Sequence, residues 1–209
     1  MKRVLLGAAL LWPVPFPGGQ TVHVPLPEPG PAALGTAFRP DTVSNPQRTH
    51  AVVSQCFSAG VNAEWCDLYL VRPSSGARPL TQGHLGGRPG VRWTPDGRFV
   101  VAYTGHRIRL WTLDGAVRGL SFADQIRPTG QRLQTDLQHL LFRDSLICLT
   151  LQQTLSTPVY ASTRPADQAA TATAGAPPLQ TRRTQQAYHW PTLQRATPIE
   201  DRACQAVKP

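Results

Sequence analysis

Val91–Ser121, VRWTPDGRFVVAYTGHRIRLWTLDGAVRGLS, constrains the fold more than any other stretch, because it is a whole antiparallel unit with its turns in place. Pro95-Asp96-Gly97 is a tight turn: proline sets φ and glycine accepts positive φ. Arg98 to Tyr103 is β-branched and aromatic, so it reads as a strand. Gly105-His106 turns the chain. Arg107 to Leu113 then alternates strictly, and Asp114-Gly115 closes it with a hairpin signal. An earlier copy lies upstream. Asn45-Pro46 turns into a strand over His50 to Gln55, Asp67 to Arg72 forms the next, Ser75-Gly76 turns, and Arg78-Pro79-Leu80-Thr81 follows. Aligned on the prolines, Val52 matches Val101; with a gap in the hairpin, Leu68 matches Ile108 and Leu70 matches Leu110. A weaker third copy runs from Asp136 through Phe142 to Leu146–Leu151. The period is roughly 40–49 residues, which is the size of a propeller blade.

Trp93-Thr94-Pro95-Asp96-Gly97-Arg98, with Asp67-Leu68-Tyr69, Gly76 and Leu80-Thr81, resembles the blades of TolB-type (PD40, WD40-like) β-propellers. The likeness covers about half the chain, residues 43–151. It implies a mainly β fold with two or three antiparallel blades. A closed ring takes about four to eight blades, so the ring is incomplete and its open edges must be paired, capped or charged. Those edges also offer a route to homo-oligomers. The resemblance names no activity, since such blades serve envelope, peptidase and scaffold proteins alike.

Residues 1–21 read as a signal-like apolar segment or a start-site extension. Met1-Lys2-Arg3 precedes an apolar run of about nine residues, too short to span a bilayer, and no small-x-small cleavage site follows. Residues 22–42 read as an irregular Pro/Gly-rich arm, residues 43–155 as the blade-like β domain, and residues 156–209 as a basic Thr/Ala/Gln/Pro-rich flexible tail. No transmembrane segment is expected.

The net charge is +9, and lysine occurs only at positions 2 and 208, so the excess is arginine. Such a balance suggests an anionic partner; an Arg/Ala/Pro-rich compositional bias would produce it equally. On Arg107–Leu113 a period of two puts Arg107, Arg109 and Trp111 on one face and Ile108 and Leu110 on the other. Arg92, Trp93, Arg98 and Tyr103 lie nearby. Guanidinium groups beside an indole suit single-stranded nucleic acid, because arginine neutralises phosphate while any base can stack on the ring. A second basic-aromatic cluster comprises Arg182, Arg183, Tyr188, Trp190 and Arg195. The competing reading packs both tryptophans between blades and leaves the arginines solvated.

Cys56, Cys66, Cys148 and Cys204 form no zinc spacing. Cys56 and Cys66 flank a hairpin and could pair as a disulfide in an oxidising compartment, or stand as small half-buried strand residues. The loop Gly83–Gly90 lacks the phosphate-binding spacings of a P-loop or a dinucleotide fold. His50, His84, His106 and His139 show no fixed acidic partner, and Asp67, Asp96 and Asp114 read as turn or strand-end acids. No cofactor, metal site or catalytic residue is expected, so the chain reads as a non-enzyme. Two functions follow. The leading one is a cytoplasmic, nucleoid-associated protein that binds single-stranded DNA or RNA, with DNA protection or repair as a use. The alternative is an exported, TolB-like envelope protein that acts as an interaction scaffold.

Overall fold

The computed structural model describes residues 10–26, 40–58, 64–81, 85–122, 124–126, 131–156 and 180–205. These residues are mainly β, with one α-helix and one sheet curled into a half-barrel. They divide into two compact units, Met1–Thr104 with Ile108–Gly119, and Gly105–Arg107 with Leu120–Pro209.

The first unit opens on a hairpin of β1 (Leu10–Pro15) and β2 (Thr21–Leu26). Trp12 pairs with Val24, and Val14 with Val22. The signal-like and arm readings missed this hairpin, and the part of them that falls on residues 1–9 and 27–39 lies outside the described residues. The alternation is real: Val14, Phe16 and Val24 are buried, while Pro13 and Pro15 face out. Prolines are tolerated there because β1 is an edge strand, whose outward amides need no partner.

The next sheet is a meander of β3 (Asp41–Ser44), β4 (Ala51–Ser58), β5 (Glu64–Arg72) and β6 (Gly76–Pro79), with the short β7 (Leu85–Gly86) also on β5. A second meander follows: β8 (Gly90–Trp93), β9 (Phe99–Thr104), β10 (Arg107–Thr112) and β11 (Val117–Ser121). The two repeats match at the level of single hydrogen bonds. The Asn45 amide donates to the His50 carbonyl at 2.9 Å, and the Thr94 amide to that of Phe99 at 3.0 Å. The Arg48 amide donates to Asn45, and that of Gly97 to Thr94. Arg48 and Gly97 both have positive φ, 54° and 67°.

Each turn is fixed by a short side chain that takes backbone bonds. Asn45 Oδ1 accepts from the amides of Thr49 and His50, at 2.8 and 3.0 Å. Thr94 Oγ1 accepts from the Phe99 amide at 3.1 Å, and Asp96 Oδ1 from that of Arg98 at 3.1 Å.

The two meanders stack. Val52, Leu68, Leu70 and Leu80 of the first meet Trp93, Val100, Ala102 and Trp111 of the second. On the other face of the first meander, Ala51, Val53 and Val71 pack against Val14, Phe16 and Val24 of the β1–β2 hairpin. β4 is therefore covered on both faces, which accounts for its burial from Ala51 to Phe57, with polar Ser54 and Gln55 included. The Trp93 indole donates to the Val43 carbonyl at 2.8 Å. At the other end Arg78 donates to the Asp114 carbonyl at 2.8 Å, and both Arg72 and Arg78 donate to that of Leu113.

The second unit is a five-stranded meander: β12 (Gln125–Ile126), β13 (Arg132–Arg143), β14 (Leu146–Ser156), β15 (Gln180–His189) and β16 (Gln194–Arg195). It ends in the helix α1 (Pro198–Gln205). The register slips between Leu137 and His139, so Gln138 is an extra residue in β13. This bulge keeps Leu137 opposite Leu151 and Leu140 opposite Leu149, on one face, although they are an odd number of positions apart.

The flexible-tail reading therefore fails for residues 180–205. β15 is paired with β14 along its whole length. α1 begins with a capping box: Thr197 accepts from the Glu200 amide, and Glu200 Oε2 accepts from the Thr197 amide at 2.8 Å. Few apolar side chains are needed, because ladder pairing, one cap and one disulfide hold the segment. Residues 157–179 and 206–209 of the expected tail lie outside the described residues.

Candidate functional site

The arginines and Trp111 of β10 lie on the faces that period-two reasoning gives them, but Trp93 and Trp111 are covered. Arg92, Arg98 and Arg107 are exposed and Arg109 is half-buried. Trp111 is only 2% exposed and Trp93 7%. Both lie in the core between the two meanders. β10 is covered on each side, with Ile108 and Leu110 buried on one face and Trp111 on the other. Tyr103 is half-buried and lies across Gly90, where a Cβ would fall 2.3 Å from its Cζ. Trp93 and Trp111 therefore offer no open ring to a base.

The C-terminal cluster divides in the same way. Arg182 and Arg183 are exposed on β15. Tyr188 is 8% exposed and lies under Arg195, whose guanidinium carbon is 5.4 Å from the ring centre. Arg195 Nη2 donates to Asp201 Oδ2 at 2.6 Å, and Asp201 Oδ1 accepts from the Ala187 amide at 2.7 Å. The Arg195 hydrogen bond holds the Asp201 carboxyl below its ordinary range, and burial pushes the Tyr188 phenol up. Trp190 Nε1 donates to the Asp144 carbonyl at 3.2 Å. Tyr188, Trp190 and Arg195 thus fasten α1 and the β13–β14 turn to the sheet.

The cysteines are all engaged. Cys56 and Cys66 are direct cross-strand partners in β4 and β5 and form a disulfide, with Cα atoms 4.0 Å apart. Cys148 in β14 is bonded to Cys204 in α1. Beneath that second bridge lie Leu146, Ala187 and Ala196. The pairing of Cys148 with Cys204 was beyond sequence reasoning, since their separation of 56 residues carries no motif.

Two histidines have acidic partners that the sequence did not reveal. His106 Nδ1 is 3.3 Å from Asp136 Oδ1 and 3.4 Å from the Thr135 carbonyl oxygen. The Leu137 amide, at the bulge, donates to the Gly105 carbonyl at 2.7 Å and so fixes the turn that carries His106. His189 Nε2 is 3.3 Å from Glu200 Oε2. The Thr197 bonds hold the Glu200 carboxyl low, with His189 adding to the effect. Only Glu200 had a legible signal, in Thr197-Pro198-Ile199-Glu200.

His106, Arg107, Ser121, Phe122 and Asp124 line a shallow cleft of about 220 Å³, smaller than the usual small-molecule site. Its carboxylate, Asp124, is taken by Arg132, whose Nε lies 2.9 Å away. The described residues contain no group of three or more metal-ligating side chains. No helix among them is long and apolar enough to cross a membrane. No protein-family model and no curated protein matches the chain.

Proposed function

We propose that the protein is a non-enzymatic interaction module of an oxidising compartment outside the cytoplasm, built from propeller-like blades. In this reading β3–β6 and β8–β11 are two blades, and β12–β16 is the third, modified by its bulge and helix. The observation that carries the reading is that all four cysteines of the chain stand in disulfides. A reducing cytosol keeps thiols reduced, whereas exported proteins retain such bridges. The stacked repeats supply rigid sheets, and the exposed polar positions on them are free to contact a partner.

The test is fractionation of the source cells combined with alkylation before lysis. The native protein is expected outside the cytoplasm, with no cysteine labelled until a reductant is added. A cytoplasmic protein that takes up label without reduction would overturn the proposal. A second reading rests on the exposed Arg92, Arg98, Arg107, Arg182 and Arg183: binding of nucleic acid through phosphates alone, without stacking. It predicts a nucleoid location instead, so the same fractionation separates the two.

A further inference from the structure

Resting on the interaction-module reading, we infer that the outer edge of β15 between Thr181 and Gln185 takes up an extended acidic segment of a partner protein as an added strand. The main chain supplies the first argument. The Ala187 amide donates to Asp201 Oδ1 and its carbonyl accepts from the Ala196 amide at 2.9 Å, so both point away from β14. The β14–β15 register runs without a slip from His189 to Gln180. Outward groups therefore recur at every second residue, at Gln185, Arg183 and Thr181. β16 covers only Tyr188 and His189 as strand partners, and at Ala196 the chain turns off toward α1. Among the described residues, no strand fills the same ladder position beside Thr181–Gln185.

Charge supplies the second argument. Arg182 and Arg183 are adjacent, so their side chains leave opposite faces of the sheet at this edge. β15 and β14 contain no acidic residue. The nearest carboxylate in the ladder row of Arg183 is Asp136, beyond Gln152 and two strands away. Asp136 is engaged by His106 and by Gln134 Nε2, the latter at 2.9 Å. A partner strand with two consecutive acidic residues would put one carboxylate on each face, opposite an arginine. Main-chain pairing would provide affinity and the carboxylates register.

A second copy of this chain fits less well, because antiparallel pairing of two such edges brings Arg182 and Arg183 against their own counterparts. Nucleic acid also fits less well. Gln180–Gln186 holds no aromatic ring, and a row of alternating amides and carbonyls is complementary to another peptide strand.

The test uses the full chain with both disulfides intact. The probe is a capped, dye-labelled hexapeptide, Thr-Val-Glu-Asp-Val-Thr. Saturable binding is expected by anisotropy, with slowed hydrogen exchange at the amides of Thr181, Arg183 and Gln185. Reversing both charges, Arg182→Glu with Arg183→Glu, should weaken it by roughly tenfold or more. Gln185→Pro keeps both arginines and the β14 ladder and removes one outward amide; it should also weaken binding by roughly tenfold.

Equal binding of a same-charge peptide with proline at alternate positions would overturn strand addition. So would binding of a single-stranded oligonucleotide in place of the peptide, or self-association of the free protein through this edge. The exchange measurement on the wild type decides the matter even if a variant fails to fold. If the protein proves extracytoplasmic and the folded Gln185→Pro variant binds the hexapeptide as tightly as the wild type, this edge assignment fails and the broader reading stands.

Discussion

Gly97 shows how one residue ties a turn to its neighbour. Its φ of 67° is the left-handed region, and a Cβ there would fall 1.9 Å from Gln47 Oε1. Gln47 belongs to the matching turn of the other repeat, and its Nε2 donates to the Asp96 carbonyl at 3.2 Å. Gly97→Ala should therefore lower stability by about 1–2 kcal/mol, with the conformational cost and the displaced Gln47 acting together. Chemical denaturation would measure it, and a loss below about 0.5 kcal/mol would show that the turn can relax. Asp201 sets a pH dependence. Its folded pKa lies below the ordinary 3.8, chiefly through the Arg195 hydrogen bond. The stabilisation is thus fully present above that ordinary value and is lost as pH falls through the lower folded value. Asp201→Asn should lower the melting temperature at neutral pH and flatten the acid limb of the profile. An unchanged acid limb would place the dependence elsewhere.

At the scale of elements, legibility followed local chemistry. The Pro95-Asp96-Gly97 and Asn45-Pro46 turns could be read because the residues that make them are the residues that name them. β4, β5, β9 and β10 could be read because β-branched side chains recur between such turns. The β1–β2 hairpin was hidden by prolines, which suit its edge but look like breakers. β15 was hidden because QTRRTQQAYH has little apolar content, and its place is secured by β14 and by contacts with α1. The faces of Trp93 and Trp111 were legible, but their burial was not: alternation assigns a side, and only tertiary packing says what covers it. The disulfides are tertiary in the same sense, and they differ in what they constrain. Cys148–Cys204 closes a separation of 56 residues and Cys56–Cys66 one of 10. In the chain-entropy account these are worth about 4 and about 3 kcal/mol respectively. Replacing the Cys148–Cys204 pair by alanines should cost more in denaturant midpoint than replacing Cys56–Cys66. The reverse order would mean that residual structure in the unfolded chain, and not loop length, governs the effect.

At the scale of the whole molecule the question is what a net charge of +9 does once Trp93, Trp111 and Tyr188 are buried. Attraction to a polyanion depends on how many phosphates are neutralised, and it survives without any base contact. Preference for single strands over duplex needs stacking, worth about 1–3 kcal/mol for each base held against an open ring. Trp93, Trp111 and Tyr188 are buried, Tyr103 and Trp190 are half-buried, and Arg195 is committed to Asp201, so under the phosphate-only reading charge would supply the first property with little support for the second. The expected outcome is weak oligonucleotide binding at low salt, nearly equal for single strands and for duplex of the same length, that vanishes toward physiological ionic strength. Trp111→Phe separates stacking from folding. It retains most of the buried volume between the meanders, so the protein should stay folded with a modest loss of stability. Its oligonucleotide affinity should then match that of the wild type across a salt titration. A single-strand preference of roughly tenfold that persists at physiological salt, and falls in folded Trp111→Phe, would mean that the indole reaches a base after all. The core between the two meanders would then have to open on binding.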